Sequence, residues 1–362
     1  MQIGIVGLPN STKTTLFNAL TRSQAETAFT SSGKVEVHTA SVEVPDPRVD
    51  ILAELFNPRK TTYARVQYVD VAGLRASGGK DGALSGQLLN ALSQSDALLH
   101  VVRAFEDDRI PHPEGSVNAV RDLAALEFEF LIADLGTVER RIEKLSHDLE
   151  RKRNYPEKEA DLFEFEVMEK LKTSLETGTP VRALMLSNDE KRVLKGFRFL
   201  TAKPSLIALN VGDEGSENPE DYPIQLTQSD MIVCIHGALE MEISQLSRDD
   251  AEIFLAEFGI SEPGLNRMIR LNYDLLGLQS FFTVGEDEVR AWTVPQGATA
   301  LEAASAIHTD LARGFIRAEV VSYLDLVEAG SLAEARKKGR LRLEGKDYIV
   351  QDGDILNIRF NV

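Results

Sequence analysis

Residues 1–21 constrain this chain more than any other stretch. Met1-Gln2-Ile3-Gly4-Ile5-Val6-Gly7 is an apolar run of strand length, Gly7 to Thr15 form a polar turn, and Leu16 to Thr21 begin a helix. A strand that passes through such a turn straight into a helix is the opening unit of an α/β nucleotide domain. Its backbone N–H groups and helix N-terminus suit phosphate. The phosphate-loop pattern is Gly, four residues, then Gly-Lys-Ser/Thr. Its Lys neutralises β/γ-phosphate charge and its hydroxyl ligates Mg²⁺. Gly7, Lys13 and Thr14 fit this pattern, but Thr12 stands where the second glycine belongs. That glycine permits a left-handed backbone, which a β-branched residue rarely adopts. If the loop still wraps phosphate, Thr12 is expected at positive φ. Otherwise the segment is a plain β-turn-α connection. Asn10, Ser11, Thr12, Lys13, Thr14 and Thr15 are the candidate phosphate-binding residues.

Val66–Val71, Ala97–Val102, Pro204–Asn210 and Met231–Ile235 are further apolar runs of strand length. Strands alternating with helices predict a parallel sheet with its ligand at the C-terminal edge. Asp70-Val71-Ala72-Gly73 closes the first of these runs, 66–71. In the Asp-x-x-Gly motif the Asp supports the Mg²⁺ shell and the Gly N–H senses the γ-phosphate. Leu74 follows, where Ras-like enzymes place a water-orienting glutamine, so any hydrolysis must use another group. Asn210-Val211-Gly212-Asp213 ends a later strand and approaches the guanine-reading Asn-Lys-x-Asp, with Val211 in the Lys position.

The alternation breaks between about 123 and 200. Leu131, Leu135, Val138, Ile142, Leu145 and Leu149 form a heptad seam, and Asn154-Tyr155-Pro156 interrupts it. A second helix carrying Leu162, Phe165, Met168, Leu171 and Leu175 is expected to return as an antiparallel hairpin. Helical patterns cover about 247–277. After Gly277 come short strand-like runs at 281–284, 289–294, 340–343, 348–350 and 355–360, with a helix over 300–313 between them. These read as a compact β-grasp domain. The expected organisation is a parallel-sheet nucleotide domain (1–122 and 201–278), an inserted helical arm (123–200) and the β-grasp domain (279–362).

A net charge of −17 excludes general coating of nucleic acid. Any RNA contact must use a local patch such as Arg336-Lys337-Lys338-Gly339-Arg340-Leu341-Arg342, unless that run is only a solvated loop. One cysteine, Cys234, rules out an intramolecular disulfide, and the histidines lack metal-ligand spacing. No apolar stretch approaches the ~20 residues that span a bilayer. With no cleavage-site pattern before the first strand, a soluble cytoplasmic protein is expected.

Taken in order, these residues resemble the YchF/Obg-like ATPases, a translation-associated family, over nearly the whole chain. The resemblance rests on Gly7-Leu8-Pro9-Asn10, Leu16-Phe17-Asn18-Ala19-Leu20, Val44-Pro45-Asp46-Pro47-Arg48, His100-Val101-Val102-Arg103-Ala104-Phe105-Glu106 and His236-Gly237-Ala238-Leu239-Glu240. C-terminally it rests on Arg290-Ala291-Trp292-Thr293, Ile307-His308-Thr309-Asp310, Gly314 to Val320, and Glu344-Gly345-Lys346-Asp347-Tyr348 through to Val362, a block similar to the family's TGS domain. It implies ATP preferred over GTP, Mg²⁺ dependence, and ribosome association through the TGS basic patch and the helical arm, with no DNA or membrane partner. It places Thr14 and Asp70 at the metal and Gly73 at the γ-phosphate. Asn210, Val211, Asp213 and Gly237 fall at the base, and His112 is the candidate water-activating group unless it is a surface-loop histidine. Three positions depart from the family: Thr12, Lys34 where a switch Thr is expected, and Asp213 where the base loop carries Glu. The glycine-rich second switch is only loosely present, at Gly78 to Gly82. Three functions stay open: a slow ATPase switch, a degenerate nucleotide-binding module with little or no hydrolysis, and a GTP-specific switch.

Overall fold

The computed structural model describes residues 1–21, 36–72, 86–151, 155–212 and 215–361. The strands are β1 (Gln2–Val6), β2 (Glu36–Glu43), β3 (Lys60–Thr62), β4 (Arg65–Ala72), β5 (Ala97–Ala104), β6 (Ser205–Val211), β7 (Asp230–Ile235), β8 (Leu278–Thr283), β9 (Glu288–Pro295), β10 (Phe315–Ser322), β11 (Arg342–Glu344) and β12 (Asp354–Phe360). The helices are α1 (Lys13–Thr21), α2 (Pro47–Phe56), α3 (Gly86–Ser93), α4 (Ala119–Arg151), α5 (Lys158–Glu176), α6 (Asn188–Leu194), α7 (Gly237–Gln245), α8 (Arg248–Glu257), α9 (Gly264–Leu275), α10 (Ala300–Ile307), α11 (Thr309–Arg313), α12 (Tyr323–Ala329) and α13 (Leu332–Lys337). By contacts the chain divides into two compact units, Met1–Ala40 with Gln67–Met268, and Ser41–Val66 with Ile269–Val362.

The first unit is built on a sheet of order β2-β4-β1-β5-β6-β7. β1 pairs parallel with β4 and β5, β5 with β6, and β6 with β7. Ile3, Ile5, Leu98, Leu99, Leu206 and Leu209 are buried. Near-continuous apolar runs of this kind are what a parallel sheet covered on both faces requires. The chain leaves β1 toward β2 and β4 on one side and adds β5, β6 and β7 on the other, so the crevice at the C-terminal end of β1 is the topological switch point.

The helical hairpin is present as α4 and α5. Val138, Leu145, Val167, Met168, Leu171 and Leu175 form its buried seam, with Leu131, Leu135, Ile142 and Phe165 packed against it. Leu162 of the expected seam is exposed. α4 begins before the expected arm, and its first turns serve the sheet: Leu126 and Phe130 pack with Leu88, Leu92 and Leu98. Where the arm rejoins the sheet, buried Asp134 accepts from the Leu200 and Thr201 backbone N–H groups at 3.1 and 2.7 Å and from the Thr201 hydroxyl at 2.7 Å.

The second unit carries a mixed sheet of order β11-β10-β12-β8-β9-β3. Adjacent β12 and β8 run parallel between antiparallel neighbours. α10 is set by a capping box between Thr299 and Glu302, and its Ala300, Ala303 and Ala304 pack on Phe281, Val320 and Leu356. This is the expected β-grasp core. Residues 41–66, expected in the nucleotide domain, cluster with this unit because β3 pairs parallel with β9, Lys60 opposite Glu288. In the Pro45 to Arg48 segment, Asp46 caps α2 and Pro47 starts it. The Arg48 guanidinium lies 2.7 Å from Asp352 and over the Phe282 ring at 5.1 Å.

Candidate functional site

β1 ends at Val6, and the chain turns through Gly7 to Thr12 before α1 begins at Lys13. A side chain at Gly7 would run into the Val101 carbonyl and the Ser11 hydroxyl, so only glycine lets the turn lie this close to β5. Thr12 has φ 69° and Asn10 φ 62°. The glycine position is therefore left-handed and occupied by a β-branched residue. Strain of this type costs on the order of 1–3 kcal/mol. Two contacts hold it: the Thr12 hydroxyl donates to the Ser11 carbonyl at 2.5 Å and accepts from Asn210 Nδ2.

Lys13 Nζ donates to the Gly7 and Leu8 carbonyls at 2.9 and 2.8 Å, holding the ammonium across the mouth of the loop. Burial pushes Lys13 down to about 8, against the opposing charge of Asp70. Asp70, at the end of β4, is buried, and burial raises its carboxyl against the pull of Lys13 and His38. Its Oδ1 has no hydrogen-bond partner among the described residues. An orphaned buried carboxylate oxygen beside a lysine and a helix N-terminus fits a cation held partly by phosphate. Thr14 and Thr15 open α1 and are half-buried.

The base side starts from Asn210, which is buried at the end of β6. Its Oδ1 accepts the Gly237 N–H at 2.8 Å, tying it to the N-terminus of α7. A Cβ at Gly237 would stand 2.8 to 3.0 Å from the Asn210 amide, which accounts for the glycine. The Val211 side chain is not at the site. It is buried in a core with Val102, Leu123, Ile207, Leu209 and Cys234, because its pleat faces inward, so it offers no side-chain contact to a base. His236 Nδ1 lies 3.1 Å from the Gly212 carbonyl and bridges the two base-side loops.

His112 is not a surface residue. Its side chain is 6% exposed, with Nε2 at 2.9 Å from Asp122 Oδ2 and Nδ1 accepting from the Glu114 N–H at 3.2 Å. Together with Gly7, Leu8, Pro9, Ser11 and Asp122 it lines a small recess beside the phosphate loop. Arg103 at the end of β5 shapes this loop by donating to the carbonyls of Phe105, Ile110 and Asp107. Asn10 Nδ2 donates to the Pro111 carbonyl at 3.0 Å. Asp122 and Arg103 organise the site and were not anticipated as doing so. Arg103 belongs to a quoted signature, whereas no local signal marks Asp122. Gly73, Asp213, Lys34 and Gly78–Gly82 lie outside the described residues.

The basic run after residue 336 is largely paired. Arg336 reaches Glu319 at 2.6 Å, Lys337 Glu334 at 2.5 Å, and Arg340 Asp325 at 2.9 Å. Among the described residues, no helix is long and apolar enough to cross a membrane, and no group of three or more His, Cys, Asp and Glu side chains is placed to hold a metal ion.

A family model described as 50S ribosome-binding GTPase matches residues 2–153. A model of the YchF GTPase C-terminal region, described as a protein of unknown function (DUF933), matches residues 278–361. The chain is 44% identical over 363 residues to "Ribosome-binding ATPase YchF" of Pasteurella multocida and 42% identical over 368 residues to that of Bacillus subtilis, each alignment covering 99% of both chains. The solved structure of the Schizosaccharomyces pombe YchF GTPase superposes with a TM-score of 0.87 at 31% identity, over 99% of this chain and 97% of that one. Identity at this level over almost the entire length establishes that the chain belongs to the YchF family.

Proposed function

We propose that this chain is a ribosome-binding P-loop ATPase switch that binds ATP with Mg²⁺ and hydrolyses it slowly to ADP and phosphate. The observation that carries this reading is the convergence of Lys13, Asp70 and Asn210 on one crevice from the ends of β1, β4 and β6. Lys13 meets the β/γ-phosphates, and its ammonium is already held at the mouth of the loop. Thr14 and Asp70 hold Mg²⁺, which when bound neutralises the developing phosphate charge. Gly73 contacts the γ-phosphate. Asn210 contacts the purine, and the backbone near Val211 and Gly237 meets the adenine amine. His112 orients or activates the attacking water in place of the glutamine missing at Leu74. Ribosome contact uses the helical arm and the surface around 336–342, and ribosomes place the protein in the cytoplasm.

Buried Val211 cannot supply the aliphatic stem that a lysine lays over guanine, which favours ATP over GTP. Calorimetric titration with ATP and GTP, with and without Mg²⁺, tests the reading. ATP is expected to bind about tenfold or more tighter, the equivalent of one polar contact. GTP preference would overturn the base assignment. The strained Thr12 favours a second reading, a nucleotide-binding module without turnover. Mg²⁺-dependent ATP binding with no phosphate release, even with ribosomes present, would establish it.

A further inference from the structure

Thr12 is the one departure in the phosphate loop, and its side chain does something a glycine cannot. Its hydroxyl proton is committed to the Ser11 carbonyl at 2.5 Å, so toward Asn210 the oxygen acts purely as an acceptor. Asn210 Nδ2 donates to it. On the other side of the same amide, Oδ1 accepts the Gly237 N–H at 2.8 Å. An asparagine amide gripped at both ends has one orientation. Oδ1 faces α7, one N–H hydrogen faces the phosphate loop, and the second N–H hydrogen is left as a donor at a fixed angle. Asn210 is 4% exposed, so a flip would strand two buried polar atoms. A fixed donor at the base side of the crevice suits the N7 acceptor of a purine, which adenine and guanine share.

We infer that Thr12 is a positioning residue for base recognition. By orienting the Asn210 amide it couples the shape of the phosphate loop to the reading of purine N7. The inference rests on the nucleotide-binding reading above. In this scheme the left-handed Thr12 backbone is the conformation in which the hydroxyl meets Asn210.

The test is a set of binding competitions against a fluorescent ATP analogue. ATP and 7-deaza-ATP, which carries C–H in place of N7, are compared on wild type, Thr12→Ser, Thr12→Val and Thr12→Gly. The ratio of the two dissociation constants is read, so any general gain or loss of phosphate affinity cancels. Wild type and Thr12→Ser, which keep the hydroxyl, are expected to bind 7-deaza-ATP about tenfold more weakly than ATP, the loss of one polar contact. In Thr12→Val and Thr12→Gly the ratio is expected to fall below about threefold. Thr12→Gly carries no left-handed strain, so it reports even where Thr12→Val is poorly folded. An equal ratio in all four proteins, or no N7 dependence in wild type, overturns the inference and leaves the ATPase reading standing. A wild type that binds neither nucleotide overturns both.

Discussion

His112 and Asp122 meet at 2.9 Å across the recess beside the phosphate loop, one from the segment after β5 and the other from the first turn of α4. The Glu114 N–H donates to the other ring nitrogen, so Nδ1 is the acceptor and the ring N–H is the one on Nε2, which meets Asp122 Oδ2 as a close contact without hydrogen-bond geometry. If His112 serves the attacking water, His112→Ala should lower ATP turnover by about a hundredfold, the lower end for a lost acid-base group, with ATP affinity within about threefold of wild type. Single-turnover phosphate release and equilibrium binding measured on the same sample separate the two quantities. Unchanged turnover would return His112 to a structural role.

Lys13 makes its hydrogen bonds to two carbonyls of its own loop. Lys13→Ala should therefore abolish measurable ATP binding while leaving the far-ultraviolet circular dichroism spectrum intact. A variant that binds ATP as wild type does would remove the loop from the nucleotide site.

The same lysine sets a pH dependence. Burial holds it down to about 8 in the free protein, and phosphate oxygens favour the ammonium, so binding raises its pKa. Below pH 8 the ammonium is already present and affinity is flat. Above pH 8 each binding event must first take up a proton, so affinity falls. The dissociation constant for ATP should rise on the order of tenfold from pH 8 to 9.5. A flat titration over that range would contradict the assignment.

Thr12→Gly should release the left-handed strain at residue 12. With 7-deaza-ATP, where N7 contributes nothing, the gain should be about tenfold in affinity. The thermal midpoint without ligand should rise, by less than the released strain alone would give, since glycine also adds entropy to the unfolded chain. No gain in affinity would mean that the surrounding contacts already relieve the strain.

Phe130 of α4 is fully buried and meets the His100 ring edge-on at 5.8 Å. Phe130→Ala should cost about 3–5 kcal/mol in urea unfolding, as large core truncations do. A loss below about 1 kcal/mol would mean that this end of α4 closes over the cavity.

The candidate site stands out in the sequence because its parts sit at strand ends, where an apolar run gives way to a polar motif. Lys13, Asp70 and Asn210 each lie at such an end and come together in the fold, and the helical seam from Leu131 to Leu145 follows from heptad spacing. β2 and β3 were not anticipated. Glu36–Glu43 mixes charge, His and Thr along an edge, and Lys60–Thr62 is too short and too polar for any period to emerge. The helix expected over 300–313 breaks at His308, whose ring accepts from the Asp310 N–H at 3.2 Å and starts a new helix. Tyr348–Val350 forms no strand of its own, only a single bridge between Thr299 and Ile349. The His112–Asp122 contact could not be read from sequence. It depends on α4 beginning at Ala119 and passing beside the phosphate loop, which is a fact of tertiary packing.

The unit formed by Ser41–Val66 and Ile269–Val362 has a consequence for how the chain is made. β3 emerges early in synthesis, yet the strand it pairs with, β9, is translated only near the end. A nascent chain must therefore carry 41–66 without its final partners until translation is almost complete, and contacts so distant in sequence form slowly. Expressed alone, residues 279–362 would present the β9 edge bare, because the strand that covers it is encoded far upstream. A C-terminal fragment will be soluble and native only if the 41–66 segment is supplied with it, in cis or as a separate peptide.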